Sequence, residues 1–332
     1  MRSWSIVVAG VVAVGCGGPA PEGPIGPPRP SQLEAPPPPR MPIVQLGGTY
    51  GCAIRLDATL ACWDGDEPAR LAAPAGAFVE LAVGDGHACA VRTDHTIACW
   101  GDNARGEATP PAGSFLQIAV GDEVSCGIRE DRSIACWGHE DRSTPPPGLF
   151  SQLSLASAHA CAVATDGHIA CWGASSHGQS IAPVGSFRRV EVGLFHSCAI
   201  RRDDTVLCWG FNADGQTTAP PGLFRTIVPR WTHTCGLRGD DRIVCWGRNS
   251  VGQATVPAGE YTGVTAGLAH SCGLRANRTI ACWGDNVEGS IAAPKGTFIH
   301  VTSRAGTTCA VRTDRTIKCW GYEDTTSPPG HY

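Results

Sequence analysis

The chain has 332 residues, a formal net charge of −4 and 17 cysteines. A nearly neutral chain with no basic run lacks the surface that neutralises phosphates, so we predict no nucleic-acid partner. Its length alone would allow two or three domains, but a strict internal repeat favours one folded body after an N-terminal leader.

The first residues have the pattern of an export signal. Arg2 supplies a positive start, and the mostly apolar run from Trp4 to Val14 is too short to span a bilayer. The small residues before Cys16 resemble a bacterial lipoprotein cleavage box, and Cys16 is left over when the other cysteines are paired. We predict a lipoprotein-type signal over residues 1–16 with lipid on Cys16. An ordinary secretory signal with a chance cysteine is the alternative.

A proline-rich segment follows at residues 17–40. Its ten prolines and lack of periodicity favour an extended tether. At about 3.1 Å per residue the segment could reach roughly 70 Å, enough to hold a domain clear of a membrane. Gly17 stands where many lipoproteins retained at the inner membrane have aspartate. We therefore predict an exported protein, anchored by its lipid alone at the bacterial outer membrane or cell surface.

Residues 41–332 are built from a repeat. The pattern Cys-x9-Cys-Trp occurs eight times, and successive copies lie 37 residues apart except for one step of 35. A strict period in this range indicates similar supersecondary units stacked side by side. The fold can therefore be inferred from one unit.

The second copy shows the strands of the unit. Alternating or apolar runs at 78–83, 87–92 and 96–100 predict three strands, with a three-residue turn at 93–95. The strands carry small or apolar residues on both faces, so each sheet is covered on both sides. The connector at 102–114 is rich in Gly, Pro and Asn. It is a loop, or it adds a short fourth strand.

Hairpin register predicts the state of the cysteines. With the three-residue loop, Arg92 faces Thr96 and Cys89 faces Cys99 at a non-hydrogen-bonded site, where Cα atoms lie about 4.5 Å apart. In an exported protein this spacing predicts a disulfide in each unit. Zinc sites favour closer cysteine pairs, so we predict no metal site. The predicted pairs are Cys52–Cys62, Cys89–Cys99, Cys126–Cys136, Cys161–Cys171, Cys198–Cys208, Cys235–Cys245, Cys272–Cys282 and Cys309–Cys319.

Such units favour a radial arrangement. Short all-β units with one tryptophan each suit propeller blades, in which each tryptophan packs against the adjacent blade. We predict an all-β fold, a β-propeller of eight blades, each with three to four antiparallel strands and one disulfide. The sequence leaves a ring of seven or eight blades open. The strand at Ile43 to Leu46 could open the first blade or close the ring on the eighth.

A second motif carries a family resemblance. Trp-Gly-x-Asn-x-x-Gly-Gln is intact at 209–216 and 246–253, with near copies at 100–107, 172–179 and 283–290. His-Ser-Cys begins at His196, before the copy at 209–216, and at His270, before the near copy at 283–290. These motifs resemble the regulator of chromosome condensation repeat family, which implies a β-propeller, commonly of seven blades with longer units. The short unit is similar to the secreted bacterial propellers that inhibit β-lactamases by binding them. The nucleotide-exchange role of the chromosomal members implies a nuclear partner, which an exported protein could not meet.

Features shared by all units are most simply structural. We predict that the five histidines at one repeat position hydrogen-bond backbone at the start of the second strand and bind no metal; they are His87, His159, His196, His233 and His270. The motif asparagines are predicted to be turn residues. No nucleophile elbow, phosphate loop or recurrent carboxylate pair is present in the sequence. We therefore predict no catalytic residues, no cofactor and no enzymatic activity.

The turn between the first two strands differs between units. It is acidic in copies two and three and apolar in copies five to seven, which contain Leu194, Phe195, Arg230, Trp231 and Leu268. Aromatic residues and arginine are typical interface anchors, so we predict that these five residues bind a partner. In the alternative, Phe195 and Trp231 plug the channel mouth or pack between blades.

Three functional hypotheses follow from this pattern. The leading one is a monomeric, lipid-anchored scaffold that binds an unidentified protein or peptide. The second is an inhibitor of a secreted enzyme such as a β-lactamase. The third is a carbohydrate-binding or enzymatic propeller.

Overall fold

The structure is a computed structural model that describes residues 43–63, 68–140, 144–157, 159–321 and 328–332. The chain divides into two units, Met1–Arg40 and Met41–Tyr332. The predicted signal at 1–16, the lipid site Cys16 and the tether at 17–40 lie outside the described residues. No helix in the described part of the chain is both long enough and apolar enough to cross a membrane.

The described residues form eight antiparallel sheets of three consecutive strands each, which we number as blades one to eight. The first strands of the blades are β1 (Ile43–Leu46), β4 (Phe78–Val83), β7 (Phe115–Val120), β10 (Phe150–Leu155), β13 (Phe187–Val192), β16 (Phe224–Pro229), β19 (Tyr261–Ala266) and β22 (Phe298–Arg304). The second strands are β2 (Gly51–Ile54), β5 (His87–Arg92), β8 (Val124–Arg129), β11 (His159–Ala164), β14 (His196–Arg201), β17 (His233–Arg238), β20 (His270–Arg275) and β23 (Thr307–Arg312).

The third strands complete the blades. They are β3 (Leu60–Trp63), β6 (Ile97–Gly101), β9 (Ile134–Gly138), β12 (Ile169–Gly173), β15 (Val206–Gly210), β18 (Ile243–Gly247), β21 (Ile280–Gly284) and β24 (Ile317–Gly321). One helical turn, α1 (Pro68–Leu71), and a 3-10 turn at Val287–Gly289 lie in connectors. No blade has a fourth strand within the described residues, so the lower of the two predicted strand numbers is correct.

All eight predicted disulfides are present. Cys89 lies opposite Cys99 in the β5–β6 ladder, and every pair has the same register. The paired Cα atoms are 4.0–4.1 Å apart. The turn that sets this register is closed by the N–H of Arg92, which donates to the Thr96 carbonyl at 2.8 Å. The predicted hairpin is therefore confirmed.

Tryptophans join consecutive blades, as predicted. The Trp137 Nε1–H of blade three donates to the Glu107 carbonyl at 2.8 Å, and Glu107 lies in the connector between blades two and three. The same bond recurs as Trp209 to Gln179, Trp246 to Gln216, Trp283 to Gln253 and Trp320 to Ser290. Apolar clusters also cross the boundary between blades. Val124 and Ile128 of blade three, for example, pack in one cluster with Phe150 and Trp172 of blade four.

The eight blades form a closed ring. Val44 and Trp63 of blade one share a buried apolar cluster with Val311 and Ile317 of blade eight. Strand β1 pairs with β2, so residues 43–46 belong to the first blade. The question that the sequence left open is thus answered: blades eight and one meet face to face, without exchange of a strand.

Tyr332 completes blade one. Blades two to eight each begin with a buried aromatic residue whose N–H donates to the hairpin of the preceding blade, as Phe78 does to Ala58 at 2.8 Å. In blade one Tyr332 fills this place, and its N–H donates to the Arg315 carbonyl at 2.7 Å. Arg55 lies 5.8 Å above its ring. Tyr332 is fully buried in the cluster that joins blades eight and one, so it stabilises the closed propeller through non-covalent contacts.

Candidate functional site

The first strands line a central channel. A cavity of about 580 Å³ is bordered by residues from these strands in all eight blades. Its wall is largely polar and includes Gln45, Glu80, Gln117, Gln152, Glu191, Thr226, Val264 and Arg304. A polar wall of this kind holds water more readily than an apolar ligand.

Glutamines in the channel wall tie one blade to the next. Gln117 accepts the N–H of Leu153 at 2.9 Å and donates to its carbonyl at 3.0 Å. Glu80 holds the equivalent place in blade two, where it accepts the N–H of Ile118. An ionised carboxylate cannot also donate to the adjacent carbonyl. Burial raises the pKa of Glu80 from 4.5 to about 7.

This raised pKa predicts a pH dependence of stability. The unfolded chain loses the Glu80 proton near pH 4.5 and the folded chain near pH 7, so stability falls as pH rises through this window. The loss is on the order of 3 kcal/mol and is complete above about pH 7. We expect Glu80→Gln to remove it, since the amide can both accept and donate. Urea unfolding at pH 4.5 and pH 8 tests this, and identical pH profiles for the two proteins would contradict it.

The turns that follow the first strands meet at one end of the channel. A mouth cavity of about 130 Å³ is bordered by one or more residues of this turn in every blade. These include Gly48, Asp85, Gly121, Ser157, Leu194, Trp231, Gly267 and Ala305. These turns vary in sequence more than the rest of the repeat, so the amino-acid differences between blades are concentrated at the mouth.

Close packing explains the small residues at the mouth. The position five residues before the first cysteine is Gly or Ala in six blades. A Cβ on Gly193 would lie 2.7 Å from the Arg230 carbonyl of the next turn, closer than real contacts allow. Blades six and eight depart from this pattern, because they carry Arg230 and Arg304 there. The structure places both arginines in the lining of the mouth cavity.

Arg304 is paired across the ring closure. Its Nη2 lies 2.7 Å from Asp85 Oδ1, and its Nη1 donates to the Val83 carbonyl at 3.3 Å. The side chain thus reaches from blade eight past blade one to blade two. Its charge is neutralised where it stands.

Arg230 is held differently. Its Nε–H donates to the Ala266 carbonyl at 3.0 Å and its Nη2–H to the Ser303 carbonyl at 3.5 Å. Within the described residues it forms no ion pair with a carboxylate. Burial, together with the like charge of Arg304, lowers the pKa of Arg230 to about 10. The group is therefore charged at neutral pH and is held by backbone dipoles.

The apolar residues of the mouth lie around Arg230. Leu194 and Trp231 line the cavity itself, and Trp231 is 48 % exposed, so it borders the mouth and does not fill it. Leu268 is also exposed, and its N–H donates to the Ala305 carbonyl at 2.7 Å. The structure thus brings Leu194, Arg230 and Trp231 together at the mouth cavity and leaves Leu268 exposed in the turn of blade seven.

Phe195 faces a neighbouring aromatic cluster. Its ring lies 6.3 Å from Phe211 and 5.6 Å from His177, and those two rings are 4.8 Å apart. Neither Phe211 nor His177 was among the predicted residues. The signal for Phe211 was available, because an aromatic residue follows Trp-Gly in the fifth and eighth copies, where the second, third, fourth, sixth and seventh copies have Asp, His, Ala, Arg and Asp. We call Leu194, Phe195, Phe211, Trp231 and Leu268 the apolar face.

The opposite side of the mouth is acidic. Asp85 pairs with Arg304, and Asp122 lies beside Asp85 near Ser157. Burial and then the nearby Asp85 charge raise the pKa of Asp122 above its usual value, against a hydrogen bond with Ser157. The mouth therefore has an acidic side on blades two and three and an apolar side with a cation on blades five to seven.

The prediction for the five shared histidines was wrong in one respect. Their Nε2 atoms meet a side-chain hydroxyl of the next blade, not backbone, at 2.7–2.9 Å. The pairs are His87–Ser125, His159–Ser197, His196–Thr234, His233–Ser271 and His270–Thr308. Burial lowers all five pKa values, that of His159 to about 4, so these histidines are neutral links between blades.

The sequence contained a signal for these links. A hydroxyl residue stands in the next blade after each of the five histidines, whereas Ala88, Ala160 and Gly51 follow the three blades without one. The motif asparagines form turns as predicted; Asn212 Oδ1, for example, accepts the N–H of Thr217 at 2.9 Å. No group of three or more possible metal ligands occurs among the residues that the structure describes.

Known proteins share both the repeat and the ring. The family model described as Regulator of chromosome condensation (RCC1) repeat matches residues 78–107, 150–179, 187–216, 231–253 and 261–290. Five copies of the repeat in this chain are therefore of the regulator of chromosome condensation type. Matches on five separate copies confirm the resemblance that the motifs indicated. No curated protein matches the chain in sequence.

Solved structures of two plant receptor-kinase ectodomains and of a yeast protein are similar in fold to this chain. The CRINKLY WD40 ectodomain of the Arabidopsis thaliana receptor kinase ACR4 is 24% identical, with 75% of this chain and 96% of that chain covered and a TM-score of 0.59. The ectodomain of the Physcomitrella patens receptor kinase CR4 is 25% identical, with 74% of each chain covered and a TM-score of 0.58. Prp20p from Saccharomyces cerevisiae, described with its binding to Gsp1p and histones, is 15% identical, with coverage of 76% and 83% and a TM-score of 0.57.

Proposed function

We propose that this chain is an exported, lipid-anchored propeller that binds a protein or peptide at the mouth of its channel. The observation that carries the proposal is the apolar face on blades five to seven. It exposes Trp231, Phe195 and Leu268 beside the half-buried charge of Arg230. Exposed aromatic and aliphatic groups next to arginine are the composition of interface hot spots.

The repeated residues are accounted for by structure. The shared tryptophans, histidines and asparagines all bond within or between blades, which leaves the variable turns as the part free to differ. The yeast relative Prp20p is described as binding proteins, Gsp1p and histones. A closed ring also fixes the eight turns relative to one another, which lowers the entropy cost of binding.

Export and lipid anchoring rest on the sequence and on the disulfides. Eight disulfides persist in an oxidising compartment and are rare in the bacterial cytosol. The signal pattern before Cys16 supplies the route out and the lipid site. Incorporation of labelled palmitate by wild type, and its loss in Cys16→Ser, is the test of this part.

Selection of displayed peptides tests the binding face. The full chain should enrich a set of peptides, and Phe195→Ala with Trp231→Ala should weaken them at least thirtyfold, because hot-spot truncation costs about 2 kcal/mol or more. The matched control is Leu149→Ala with Leu223→Ala, which removes exposed apolar residues at the hairpin end. Equal binding by both double variants, with unchanged circular dichroism, would refute the proposal.

Inhibition of a secreted enzyme is the same binding mode with a different consequence. The rigid mouth could cover the active site of an enzyme such as a β-lactamase. Titration of purified β-lactamases and other secreted hydrolases with the full chain separates this from simple scaffolding. A third class, a carbohydrate-binding or enzymatic propeller, has less support at the mouth, because Asp85 is already paired with Arg304.

A further inference from the structure

Most of the arginines whose contacts the structure gives fall into two groups, although Arg202 and Arg248 donate to serine hydroxyls. One group pairs with carboxylates, as Arg188 does with Asp204 at 2.7 Å. A second group lies over aromatic rings at the hairpin end, as Arg129 lies 4.9 Å from the Phe115 ring centroid. Arg230 has neither kind of partner among the described residues, although it is the one whose burial lowers its pKa.

The remaining donors of Arg230 are oriented by its two backbone bonds. The Nε–H and one Nη2–H are taken by the Ala266 and Ser303 carbonyls. This leaves the Nη1 hydrogens and the second Nη2 hydrogen, which together form the end of the guanidinium fork. Two parallel N–H groups of this kind match the two oxygens of a carboxylate.

Two described carboxylates, Glu191 and Asp85, are already bound by other side chains. Glu191 favours the charge of Arg230, but its own oxygens meet Arg189 at 2.7 Å and Ser154 at 3.3 Å. Asp85 is bound to Arg304. The positive charge at the mouth is thus complementary to an acid that comes from another molecule.

The apolar residues around this charge indicate what carries the acid. Trp231 follows Arg230 in the turn of blade six, and Leu194 and Leu268 lie in the turns of blades five and seven. A peptide that crosses these three turns would place its middle residue at Arg230 and its flanking residues on the two leucines. Such contacts on both sides fit a carboxylate within a chain and not one at a chain end.

We propose that Arg230 anchors the bound protein through an acidic side chain, a glutamate or aspartate flanked by apolar residues. The inference rests on the proposed function and specifies its partner chemistry. Arg230 is half-buried beside the more exposed Trp231, so the longer glutamate reaches it more easily than aspartate does.

Weak-affinity chromatography on the immobilised full chain tests this. Two pools of N-acetylated, C-amidated seven-residue peptides carry random Leu, Ile, Val or Phe on both sides of the middle residue, which is Glu in one pool and Gln in the other. We expect the Glu pool to bind at least tenfold more tightly, and this preference to shrink at high salt. A third pool with a Gln centre and a free C-terminal carboxylate represents the chain-end alternative.

Variants separate a charge anchor from a structural role. Arg230→Gln should abolish the preference for Glu over Gln, and Arg230→Lys should retain part of it because the charge remains. Arg188→Gln removes the same charge away from the mouth and should leave the preference intact. The melting temperature of each immobilised variant is measured to confirm that it is folded. If Arg230→Gln does not fold, the preference of Arg230→Lys for Glu over Gln peptides is compared with that of wild type.

The outcomes decide between the claims. Equal retention of the Glu and Gln pools, no retention of either, or stronger retention of the free-carboxylate pool each overturns the acidic anchor. Some selected peptides could lose affinity when Trp231 is replaced and keep it when Arg230 is replaced. That result would support the proposed function and contradict the acidic anchor. A failed selection would instead remove the binding face.

Discussion

Replacing Tyr332 by alanine should lower the free energy of unfolding by about 3 to 5 kcal/mol, the usual cost of removing a buried aromatic ring. Its ring is fully buried between blades eight and one, and its N–H closes the hairpin of blade eight through the Arg315 carbonyl. Because the aromatic side chain of Tyr332 packs where the propeller closes, we expect the lost stability to come from the contact between the first and last blades. Denaturant unfolding followed by circular dichroism measures it.

The control for ring closure is Tyr332→Phe. This variant keeps the aromatic side chain and removes the hydrogen bond from the Tyr332 hydroxyl to the Pro329 carbonyl, which is 3.2 Å long and partly exposed. We expect a loss of about 1 kcal/mol or less. Hydrogen exchange should rise in β1 to β3 and β22 to β24 of the alanine variant before other blades. If Tyr332→Ala unfolded at the same denaturant concentration as wild type, the closure of the propeller would not depend on this residue.

Removing one disulfide should have an effect of similar size. Cys198→Ser with Cys208→Ser opens a loop of ten-residue separation, which costs about 2 to 3 kcal/mol in the chain-entropy model. Both sulfurs are buried in the cluster that joins blades five and six, so the two hydroxyls add a desolvation cost. The melting temperature should fall clearly, and further when all disulfides are reduced.

Mass spectrometry provides the control for the disulfides. Alkylation of the unfolded, unreduced propeller should modify none of the sixteen paired cysteines, and alkylation after reduction should modify all of them. Alkylation of all sixteen before reduction would show that the hairpins are not oxidised. Unchanged stability in the double serine variant would show that the bridge does not constrain the unfolded chain.

Local features of this fold could be predicted because each depends on a short stretch of chain. Strand alternation and a three-residue turn fix which residues face each other, so the pairing of Cys89 with Cys99 followed from their spacing. The eight copies favoured eight blades, and the eight sheets of the structure exclude the alternative of seven. The tryptophan contacts followed from the need of each unit to bury a face against its neighbour.

Contacts between blades were harder to predict. The bond from His159 to Ser197 joins residues 38 positions apart, and no local rule relates them. Only a comparison of consecutive copies exposes the pattern. The place of Tyr332 depends on where the chain meets its own beginning, which the repeat period does not specify. The sequence therefore left open how the ring closes.

The candidate site was predicted in part. The variable turns, in which the binding residues were predicted, line the mouth cavity, and their role in binding stays a prediction. What the sequence could not give was the environment of Arg230. Its recessed position and its two backbone acceptors arise from blades seven and eight, far along the chain. Phe211 was missed because it lies in a connector and not in the turn.

Hydrogen exchange of the full chain, with and without a selected peptide, tests the binding face most directly. We predict slower exchange in the turns at 193–196, 230–233 and 267–270 when the peptide is bound, and little change in the hairpins at the opposite end. Protection confined to those hairpins, or to the acidic turns of blades two and three, would contradict it.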